Sequence, residues 1–386
     1  MKILAVGGGS GGHVTPVVAV FKELKKAQPS AELRFWCDKA FGKQAKNIVD
    51  KFDETVPVEQ VISGKLRRYH HLSLVQHLLI PSVVFPNIID VFKVLFGTVQ
   101  AFFKLLAWRP DVIFAKGGYV CLPVGYAARL LRIPLVIHDS DAHPGLTNRL
   151  LAPHATYIAT GAPLEHYSYP KDRSKYVGIP VASDFAPAND AKKRETKRKL
   201  GFAEDRPLVI VTGGGLGAKR INDAIAAEVD KITTKSSLLL ISGVGQYDEL
   251  RATMGENTSA WQLTGFVSDG MADKLAAADV VVARAGATSI LELAAVGAPT
   301  ILVPNGRLTG GHQLKNAKVY AEAGAVKIVD EDMIEHSGEA LSSEILALLA
   351  DETERARLSQ AFHAFAKPAA ACETAELVLK AAKPRS

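Results

Sequence analysis

The chain begins with MKILAVGGGSGGHVTPVVAVFKELK (residues 1–25), in which an apolar run passes directly into a glycine-rich loop, GGGSGGH (residues 7–13). A short apolar run that ends in glycines predicts a buried β-strand followed by a tight turn. The next apolar pattern predicts a helix from about Val17 to Ala27. Glycines in such a turn let the backbone approach a phosphate, and the first amides of the helix carry partial positive charge. The stretch therefore predicts an anion-binding unit at the start of an α/β domain.

The same arrangement returns in the second half of the chain, as RPLVIVTGGGLGAKRINDAI (residues 206–225). A charged helical segment, NDAKKRETKRKLG (residues 189–201), precedes it and marks a change of composition. Further strands are predicted at ELRFWC, DVIFA, LVIHD and TYIAT in the first half and at SLLLISG, WQLTGF, VVVARAG and PTILVP in the second. Apolar strands that alternate with helices predict parallel sheets covered on both faces. We therefore expect two Rossmann-like, doubly wound α/β domains that face each other across a cleft, with ligands at the carboxyl ends of the strands.

The composition favours anionic partners. The chain has 386 residues, of which 48% are apolar, with a formal net charge of +6 and a pI near 9.0. A basic balance attracts polyanions, anionic lipid surfaces or phosphorylated substrates. Cys37, Cys121 and Cys372 are scattered, so neither a disulfide framework nor a zinc site is predicted. Because the first apolar run is too short for a signal peptide, we expect a cytoplasmic protein.

The most apolar segment of the chain is LSLVQHLLIPSVVFPNIIDVFKVLFGTVQAFFKLLAW (residues 72–108). Charged residues and two prolines, Pro81 and Pro86, interrupt it, so the sequence predicts no helix that crosses a membrane. Two interpretations remain. The segment forms either core helices of the first domain or a pair of surface helices that enters the lipid interface, with KLRRYHH (residues 65–71) supplying cations for anionic headgroups.

The glycine loops by themselves do not identify the ligand. The first satisfies G-x-G-x-x-G and the second G-x-G-x-x-A, and both patterns hold a phosphate. With Asp38 as the ribose partner, the first loop also fits an NAD-dependent oxidoreductase. A P-loop NTPase is excluded, because Ala218 and Arg220 stand where its motif needs glycine and Ser or Thr. His13 begins the first helix, whose dipole favours a neutral imidazole that can accept a proton, so it is a candidate base.

Over nearly its whole length the chain resembles the MurG type of glycosyltransferase. The resemblance is carried, in order along the chain, by GGGSGGHVTPVVAV (7–20), KGGYVCLPVGYAA (116–128), LVIHDSDAHPGLTNRLLA (135–152), VGIPV (177–181), GGGLGAKRIN (213–222), ADVVVARAGATSILELAAVGAPTILVP (278–304) and GGHQLKNA (310–317). It implies a GT-B fold with an acceptor-side domain (residues 1–182), a donor-side domain (residues 183–365) and a C-terminal helix (residues 366–386) that returns to the first domain.

The resemblance also implies an activity. Members are inverting, metal-independent enzymes that transfer N-acetylglucosamine from UDP-N-acetylglucosamine to undecaprenyl-diphospho-N-acetylmuramoyl-pentapeptide in peptidoglycan synthesis. It implies neither a cofactor nor a nucleic-acid partner. It places the enzyme peripherally on the cytoplasmic face of the cell membrane, bound to anionic lipid through about Lys65–Trp108.

The implied site roles follow the motifs residue by residue. Glu292 resembles the carboxylate that accepts hydrogen bonds from both ribose hydroxyls. Arg284 and the start of the following helix resemble the part that holds the diphosphate. Phe266 and Val267 resemble the segment that meets the uracil ring. The other residues expected to contact UDP-N-acetylglucosamine are Ser10, Gly11, Gly12, Gly214, Gly215, Gly286, Ala287, Thr288, Ser289, His312, Gln313 and Asn316.

On the acceptor side the resemblance implies that two glycine loops face the lipid-linked diphosphate. The residues expected there are Gly9, Ser10, Gly11, Gly117, Gly118 and Tyr119. His13 is then the leading candidate for the base that deprotonates the attacking hydroxyl. Asp139 and Asp141 are competing carboxylates, and His138 helps to position them.

Three motifs depart from the family pattern. The chain has HDSD (residues 138–141) where the family usually has HEQN, and GGGLGA (residues 213–218) where it has GGSQGA. In VGIPVA, Ile179 and Ala182 stand where the family tends to have Asn and Arg. Because polar sites discriminate through their hydrogen bonds, these changes leave alternatives open. They are a glycolipid synthase of the same fold with another UDP-hexose and a neutral lipid acceptor, an NAD-dependent oxidoreductase, and a binding protein without turnover.

Overall fold

A computed structural model describes residues 1–8, 11–66, 80–215, 217–306, 311–335 and 337–382. The chain divides into two compact units, one formed by Met1–Ala182 with Lys367–Ser386 and the other by Ser183–Ala366. Each unit contains one parallel sheet with helices on its faces. The expected fold class, two Rossmann-like α/β domains, is thereby confirmed.

The first unit is built on a sheet of seven parallel strands. The strands are β1 (Lys2–Gly7), β2 (Glu32–Cys37), β3 (Val58–Gln60), β4 (Val112–Gly117), β5 (Leu135–Asp139), β6 (Tyr157–Thr160) and β7 (Ser174–Tyr176). The helices that follow them are α1 (Gly11–Ala27), α2 (Gly42–Asp50), α3 (Pro81–Trp108), α4 (Cys121–Leu131) and α5 (Leu146–Leu151). The sheet order is β3-β2-β1-β4-β5-β6-β7. The order therefore reverses between β1 and β4, and ligands of open parallel sheets bind at such a point.

The second unit repeats the plan with six parallel strands. They are β8 (Leu208–Thr212), β9 (Ser237–Ile241), β10 (Trp261–Thr264), β11 (Val280–Ala283), β12 (Thr300–Leu302) and β13 (Lys327–Ile328). The helices are α6 (Asp190–Lys199), α7 (Lys219–Ala227), α8 (Val229–Thr233), α9 (Tyr247–Met254), α10 (Met271–Ala277), α11 (Ala287–Val296), α12 (His312–Glu322), α13 (Glu339–Ala350) and α14 (Glu352–His363). The sheet order is β10-β9-β8-β11-β12-β13, so this sheet reverses between β8 and β11.

The last helix, α15 (Ala370–Ala382), belongs to the first unit. Its Val378 and Ala381 lie in the same apolar core as Val17 and Phe21 of α1. Short 3₁₀ helices connect other elements at Ala152–His154, Leu164–His166, Lys171–Arg173, Val244–Gln246 and Glu331–Ile334. The shared apolar core places the C-terminal helix against the first sheet and not the second.

Helix α3 corrects the sequence prediction for residues 72–108. From Pro81 onward the segment is one helix of 28 residues. An 18-residue window in it has a mean hydropathy of 1.5 with 22% of that window buried, so by length and composition this helix is able to cross a membrane. The prediction that no such helix exists is wrong, because Pro81 occupies the first turn, where proline is tolerated, and Pro86 removes only one backbone hydrogen bond. Residues 67–79, which include most of KLRRYHH, lie outside the described residues.

Candidate functional site

The second unit holds a pocket at the carboxyl end of its sheet. Its empty volume is about 680 Å³, which includes the solvent at its open mouth. The lining residues are Thr212, Gly214, Gly215, Ile241, Gly265, Phe266, Val267, Met271, Leu275, Ser289, Glu292 and Leu293. They come from the ends of β8, β9 and β10 and from α10 and α11. Gly214, Gly215, Phe266, Val267, Ser289 and Glu292 were all expected at a UDP-sugar site, so the pocket brings these predicted residues together.

Glu292 is the acidic group in the lining of this pocket. It lies on α11 and is half-buried. Burial, together with the nearby negative charge of Asp184, raises the pKa of its carboxyl to about 7. Within the described part of the chain it forms neither an ion pair nor a hydrogen bond. A carboxylate held in this way can accept two hydrogen bonds from a ligand that carries neighbouring hydroxyls.

Phe266 is the aromatic residue of the pocket. It follows β10, and its side chain is 60% exposed even though it lines the pocket. The hydroxyl of Thr264 donates a hydrogen bond to the backbone carbonyl of Phe266 over 3.2 Å and fixes this short turn. An exposed aromatic ring beside a pocket offers a face for stacking on a base.

The N-terminus of α11 provides the amide groups expected for a diphosphate. Gly286 precedes the helix, and the helix runs for 10 residues with no acidic residue in its first turn. The first turn contains Ala287, Thr288 and Ser289, and of these Ser289 lines the pocket. The helix dipole favours an anion at this position.

The guanidinium of Arg284 is already bonded within the second unit. Its guanidinium donates to the carbonyl of Val303 over 3.1 Å and forms an ion pair with the buried carboxylate of Glu331. Arg220 lies on the other side of that carboxylate, with Nη1 at 3.2 Å from Oε2. The structure thus shows a second role for Arg284, and its contact with a diphosphate stays a prediction. The Arg284 side chain fastens the loop before α11 to Glu331, because a buried carboxylate needs a cation.

Two polar side chains at the start of α12 also have partners within the second unit. The side chain of Asn316 is buried, and its Nδ2 donates to the carbonyl of Ala285 over 3.2 Å. The Oε1 of Gln313 accepts a hydrogen bond from the amide of Asn305 over 2.9 Å. Neither these two nor His312 lines the pocket. Asn316 thus holds the loop before α11 in place, and its contact with the donor sugar stays a prediction.

In the first unit two glycine loops meet where the sheet order reverses. Gly7 ends β1 and Gly8 follows it, and Gly117 ends β4 and Gly118 follows it. Gly118 has φ +87°, and a Cβ there would lie 2.5 Å from the carbonyl oxygen of Gly8, so only glycine fits. Gly11 and Gly12 open α1, whose first turn carries no acidic residue. The arrangement leaves backbone amides at the end of the sheet, whereas the predicted acceptor residues Gly9 and Ser10 lie outside the described residues.

His13 lies in the first turn of α1 and contacts the second loop. A Cβ on Gly117 would lie 3.2 Å from both Cε1 and Nδ1 of the imidazole, so the ring packs directly on that glycine. The Nδ1 atom is buried and has no hydrogen-bond partner among the described residues. Burial, together with the positive charge of Lys116, lowers the pKa of His13 to about 4. The imidazole is therefore neutral at pH 7, as a base must be.

The two carboxylates of HDSD have different environments. Asp139 is 3% exposed, and its Oδ2 accepts hydrogen bonds from the hydroxyl of Tyr169 over 2.6 Å and from the amide of Gly145 over 3.2 Å. Burial raises its pKa to about 7. These bonds tie Asp139 to Tyr169 and to the loop after β5, and its role as the base stays a prediction. Asp141 is half-buried, and the hydroxyl of Tyr167 donates to its backbone carbonyl over 2.6 Å.

Tyr119 and Asp38 form a hydrogen-bonded pair, which bears on the predicted roles of both residues. The hydroxyl of Tyr119 donates to the carboxylate of Asp38, and burial together with this carboxylate raises the pKa of the tyrosine. Asp38 also accepts from the amide of Phe41 over 3.0 Å and is buried. Tyr119 therefore already has a partner in Asp38, and its contact with an acceptor diphosphate stays a prediction. Asp38 in turn already accepts hydrogen bonds from Tyr119 and from the amide of Phe41, which weakens the argument for it as a ribose partner.

Sequence reasoning missed Lys116, which is fully buried near the end of β4. In the sequence Lys116 only precedes a glycine motif, KGGYV. A lysine in an otherwise apolar strand nevertheless indicates a buried charge that needs partners. Among the residues that the structure describes, no group of three or more His, Cys, Asp or Glu side chains is arranged to hold a metal ion.

Comparisons with known proteins agree with the geometry. Residues 3–160 match the glycosyltransferase family 28 N-terminal domain and residues 208–373 match the glycosyltransferase family 28 C-terminal domain. The chain is 33% identical over 335 residues to the UDP-N-acetylglucosamine--N-acetylmuramyl-(pentapeptide) pyrophosphoryl-undecaprenol N-acetylglucosamine transferase of Clostridium botulinum (strain Langeland), covering 86% of this chain and 87% of that protein. The protein of the same name from Legionella pneumophila (strain Lens) is 32% identical, with 86% and 85% covered.

A solved structure extends the likeness to the whole chain. The crystal structure of Acinetobacter baumannii MurG superposes with a TM-score of 0.72 at 25% identity, covering 98% of this chain and 99% of that chain. Sequence and structure therefore agree over both units.

Proposed function

The chain belongs to the family 28 glycosyltransferases, and we propose that it transfers N-acetylglucosamine from UDP-N-acetylglucosamine to an undecaprenyl-diphospho-N-acetylmuramoyl-pentapeptide. The observation that carries this proposal is the pocket of the second unit, whose Glu292 and Phe266 suit the ribose and the base of a nucleotide. The curated relatives carry this activity in their names. Their acceptor is a diphosphate, which fits the glycine loops of the first unit.

The donor is held by contacts that need no metal. Glu292 accepts hydrogen bonds from the two ribose hydroxyls, and Phe266 stacks on the uracil ring. The amides of Gly286–Ser289 and the dipole of α11 stabilise the diphosphate, whose charge grows as UDP departs. Interactions that strengthen as the leaving group becomes charged are the ones that accelerate the reaction.

On the acceptor side His13 takes the proton of the attacking hydroxyl. The hydroxyl oxygen then bonds to the anomeric carbon of N-acetylglucosamine on the face opposite UDP, and the bond from that carbon to the diphosphate breaks, so that the configuration inverts. Asp141 is the second candidate for the base. The amides at the start of α1 and after β4 bind the acceptor diphosphate.

The experiment that tests the proposal combines binding and turnover. Purified full-length protein is titrated calorimetrically with UDP-N-acetylglucosamine, UDP-glucose, UDP-galactose and NADH in EDTA, and transfer to a polyprenyl-diphospho-N-acetylmuramoyl-pentapeptide is compared with transfer to diacylglycerol. We expect selective binding of UDP-N-acetylglucosamine and a product with the inverted linkage. Transfer to diacylglycerol alone indicates the glycolipid synthase, NADH binding alone the oxidoreductase, and UDP binding without transfer the inactive binding protein.

We further propose that α3 attaches the enzyme to the cytoplasmic face of the membrane. One face of the helix is buried against its own unit, through residues that include Asp90, Val94 and Ala101. The opposite face exposes Phe85, Ile88, Ile89, Val91, Phe92, Leu95, Phe96, Val99, Phe103 and Leu106. A helix that is fixed along one side to a domain and apolar on the other suits the lipid interface better than a membrane crossing.

Replacement of Phe92, Phe96 and Phe103 by serine is expected to weaken binding to vesicles containing anionic lipid at least tenfold. Each phenylalanine that leaves the lipid costs about 1–2 kcal/mol of binding free energy. All three are exposed, so the melting temperature should stay unchanged. Co-sedimentation measures the effect, with Met333→Ser, an exposed apolar residue of the second unit, as the matched control. Equal vesicle binding by the triple variant would show that another surface attaches the protein.

The GGGLGA loop gives a prediction about donor affinity. A Cβ on Gly215 would meet nothing within 4 Å, and the residue lines the pocket. Gly215→Ser, which restores the hydroxyl of the family pattern, should therefore fold normally and bind UDP-N-acetylglucosamine about 2- to 10-fold more tightly through one added hydrogen bond. Gly215→Ala is the matched control, because it adds the carbon without the hydroxyl. If calorimetry gives both variants the same affinity, the hydroxyl does not reach the donor.

A further inference from the structure

A buried chain of polar groups starts at Lys116 in the first unit. The ammonium of Lys116 donates a hydrogen bond to the hydroxyl of Ser140. The Oγ of Ser140 lies 3.5 Å from Nδ1 of His138, and Nε2 of His138 lies 2.8 Å from the carbonyl oxygen of Gly178. Because a carbonyl only accepts, Nε2 carries the proton and Nδ1 accepts from Ser140. These hydrogen bonds hold the HDSD segment to Lys116 of β4 on one side and to the carbonyl of Gly178 on the other.

The ammonium of Lys116 carries a positive charge in a cluster of titratable side chains. The groups that interact with it or with His13 are His13 on α1, Asp38 after β2, Cys121 on α4, His138 and Asp139 on β5, and Asp141 after β5. Burial lowers the pKa of Lys116 to about 8, against the opposing effect of Asp141 and Asp139, so the side chain is still mostly charged at pH 7. A buried ammonium is tolerated only where carboxylates and hydrogen bonds compensate it.

The backbone of the same strand connects Lys116 to His13. Gly117 follows Lys116 directly, and the imidazole of His13 packs on it, at 3.2 Å from the position of a Cβ. A displacement of Lys116 would therefore move the surface on which the candidate base rests. Its charge acts on the same ring, since a nearby cation opposes protonation of an imidazole.

We propose that Lys116 is a positioning residue for the acceptor-side reaction, which holds the HDSD segment through Ser140 and opposes protonation of His13 by its charge. This role rests on the proposed glycosyl transfer. It also accounts for the departure of HDSD from HEQN in this chain. HDSD keeps a carboxylate at Asp139, where HEQN has Glu, and adds a second at Asp141, where HEQN has Asn. Lys116 is the buried cation that interacts with both, so Lys116, Asp139 and Asp141 form one coupled set.

The test compares Lys116→Met, Ser140→Ala and the double variant Lys116→Met/Asp141→Asn in the full-length protein. Methionine keeps the length of the side chain without its charge, and the double variant removes one charge of each sign, so it folds even if the single variant does not. The first readout is the NMR titration of the His13 C2 proton, assigned with His13→Gln. The second is kcat and KM for both substrates from pH 5 to 9.

For Lys116→Met we expect the titration midpoint of His13 to rise by about 1–3 pH units. At pH 7 kcat should fall about tenfold with KM for UDP-N-acetylglucosamine within twofold of wild type. The double variant should restore at least half of the midpoint shift and part of kcat. Ser140→Ala should leave the midpoint in place, because the charge remains, and lower kcat a few-fold.

Two results would overturn the inference. One is an unchanged His13 midpoint in both Lys116 variants. The other is an equal loss of activity and of donor binding in single and double variants, which is the behaviour of a residue needed only for stability. A wild-type protein that transfers no sugar contradicts the proposed function instead, and the NMR titration then still decides whether Lys116 controls His13.

Discussion

Glu292→Ala should weaken the binding of UDP about 10²- to 10⁴-fold. The carboxylate accepts two hydrogen bonds from the ribose in the proposed complex, and hydrogen bonds to a charged group contribute about 1.5–3 kcal/mol each. Removal also leaves the two ribose hydroxyls without acceptors in a partly buried site. Calorimetry with UDP alone measures the loss without any contribution from the sugar or the acceptor.

The pH dependence of UDP-N-acetylglucosamine binding is a second test of Glu292 as the group that binds the ribose. The pKa of Glu292 is raised to about 7, so near neutral pH the carboxyl of the free protein is partly protonated. The ionised form accepts both hydroxyls, so binding of UDP-N-acetylglucosamine favours ionisation and releases a fraction of a proton. Affinity should therefore rise from pH 6 to pH 8 and level off above the pKa.

Glu292→Gln is the matched variant for this experiment. It keeps the size of the side chain but cannot ionise, so its affinity for UDP-N-acetylglucosamine, whose diphosphate does not titrate near neutral pH, should be lower than that of wild type at pH 8 and independent of pH. Calorimetry in buffers of different ionisation enthalpy counts the protons released. If wild type releases no proton near pH 7, or if the glutamine variant shows the same slope, Glu292 is not the group that meets the ribose.

Strong periodic patterns allowed most of the fold to be predicted. ELRFWC and LVIHD coincide with β2 and β5 to the residue. The strands that escaped, β3, β7 and β13, have two or three residues each, and none is fully buried. Their pairing depends on a neighbouring strand that already exists, which no local pattern reveals. Helix α1 begins at Gly11 and not near Val17, because Pro16 interrupts the backbone bonding at one position only.

The candidate site could be proposed from short motifs. The resemblance to the MurG-type enzymes named Glu292 and Phe266, and the place of His13 at the start of the first helix made it a candidate base. Arg284, Asn316 and Tyr119 have partners that the sequence did not reveal, namely Glu331, Ala285 and Asp38. These partners lie 31 to 81 residues away in the sequence, and only the packed structure shows that each side chain is already bonded.

Replacement of His13 by alanine should lower kcat about 10²- to 10⁴-fold, the usual contribution of a general base. UDP binding should stay within twofold of wild type, because the nucleotide pocket is formed by the second unit. His13 is neutral in the free protein, with its pKa lowered to about 4. When the acceptor diphosphate binds at the start of α1, its negative charge favours the protonated imidazole, so His13 becomes a stronger base at the moment it is needed.

The pH profile separates His13 from the carboxylates. If His13 is the base, kcat/KM for the acceptor does not change between pH 6 and 8, because the imidazole of the free protein is already deprotonated in that range. If Asp139 is the base, the rate rises through its pKa of about 7. Asp139→Asn and Asp141→Asn are the parallel variants, each of which removes one charge at nearly constant volume. A His13→Ala protein that retains wild-type kcat, beside an inactive Asp141→Asn, would assign proton removal to Asp141, since Asp139 is already bonded to Tyr169 and Gly145.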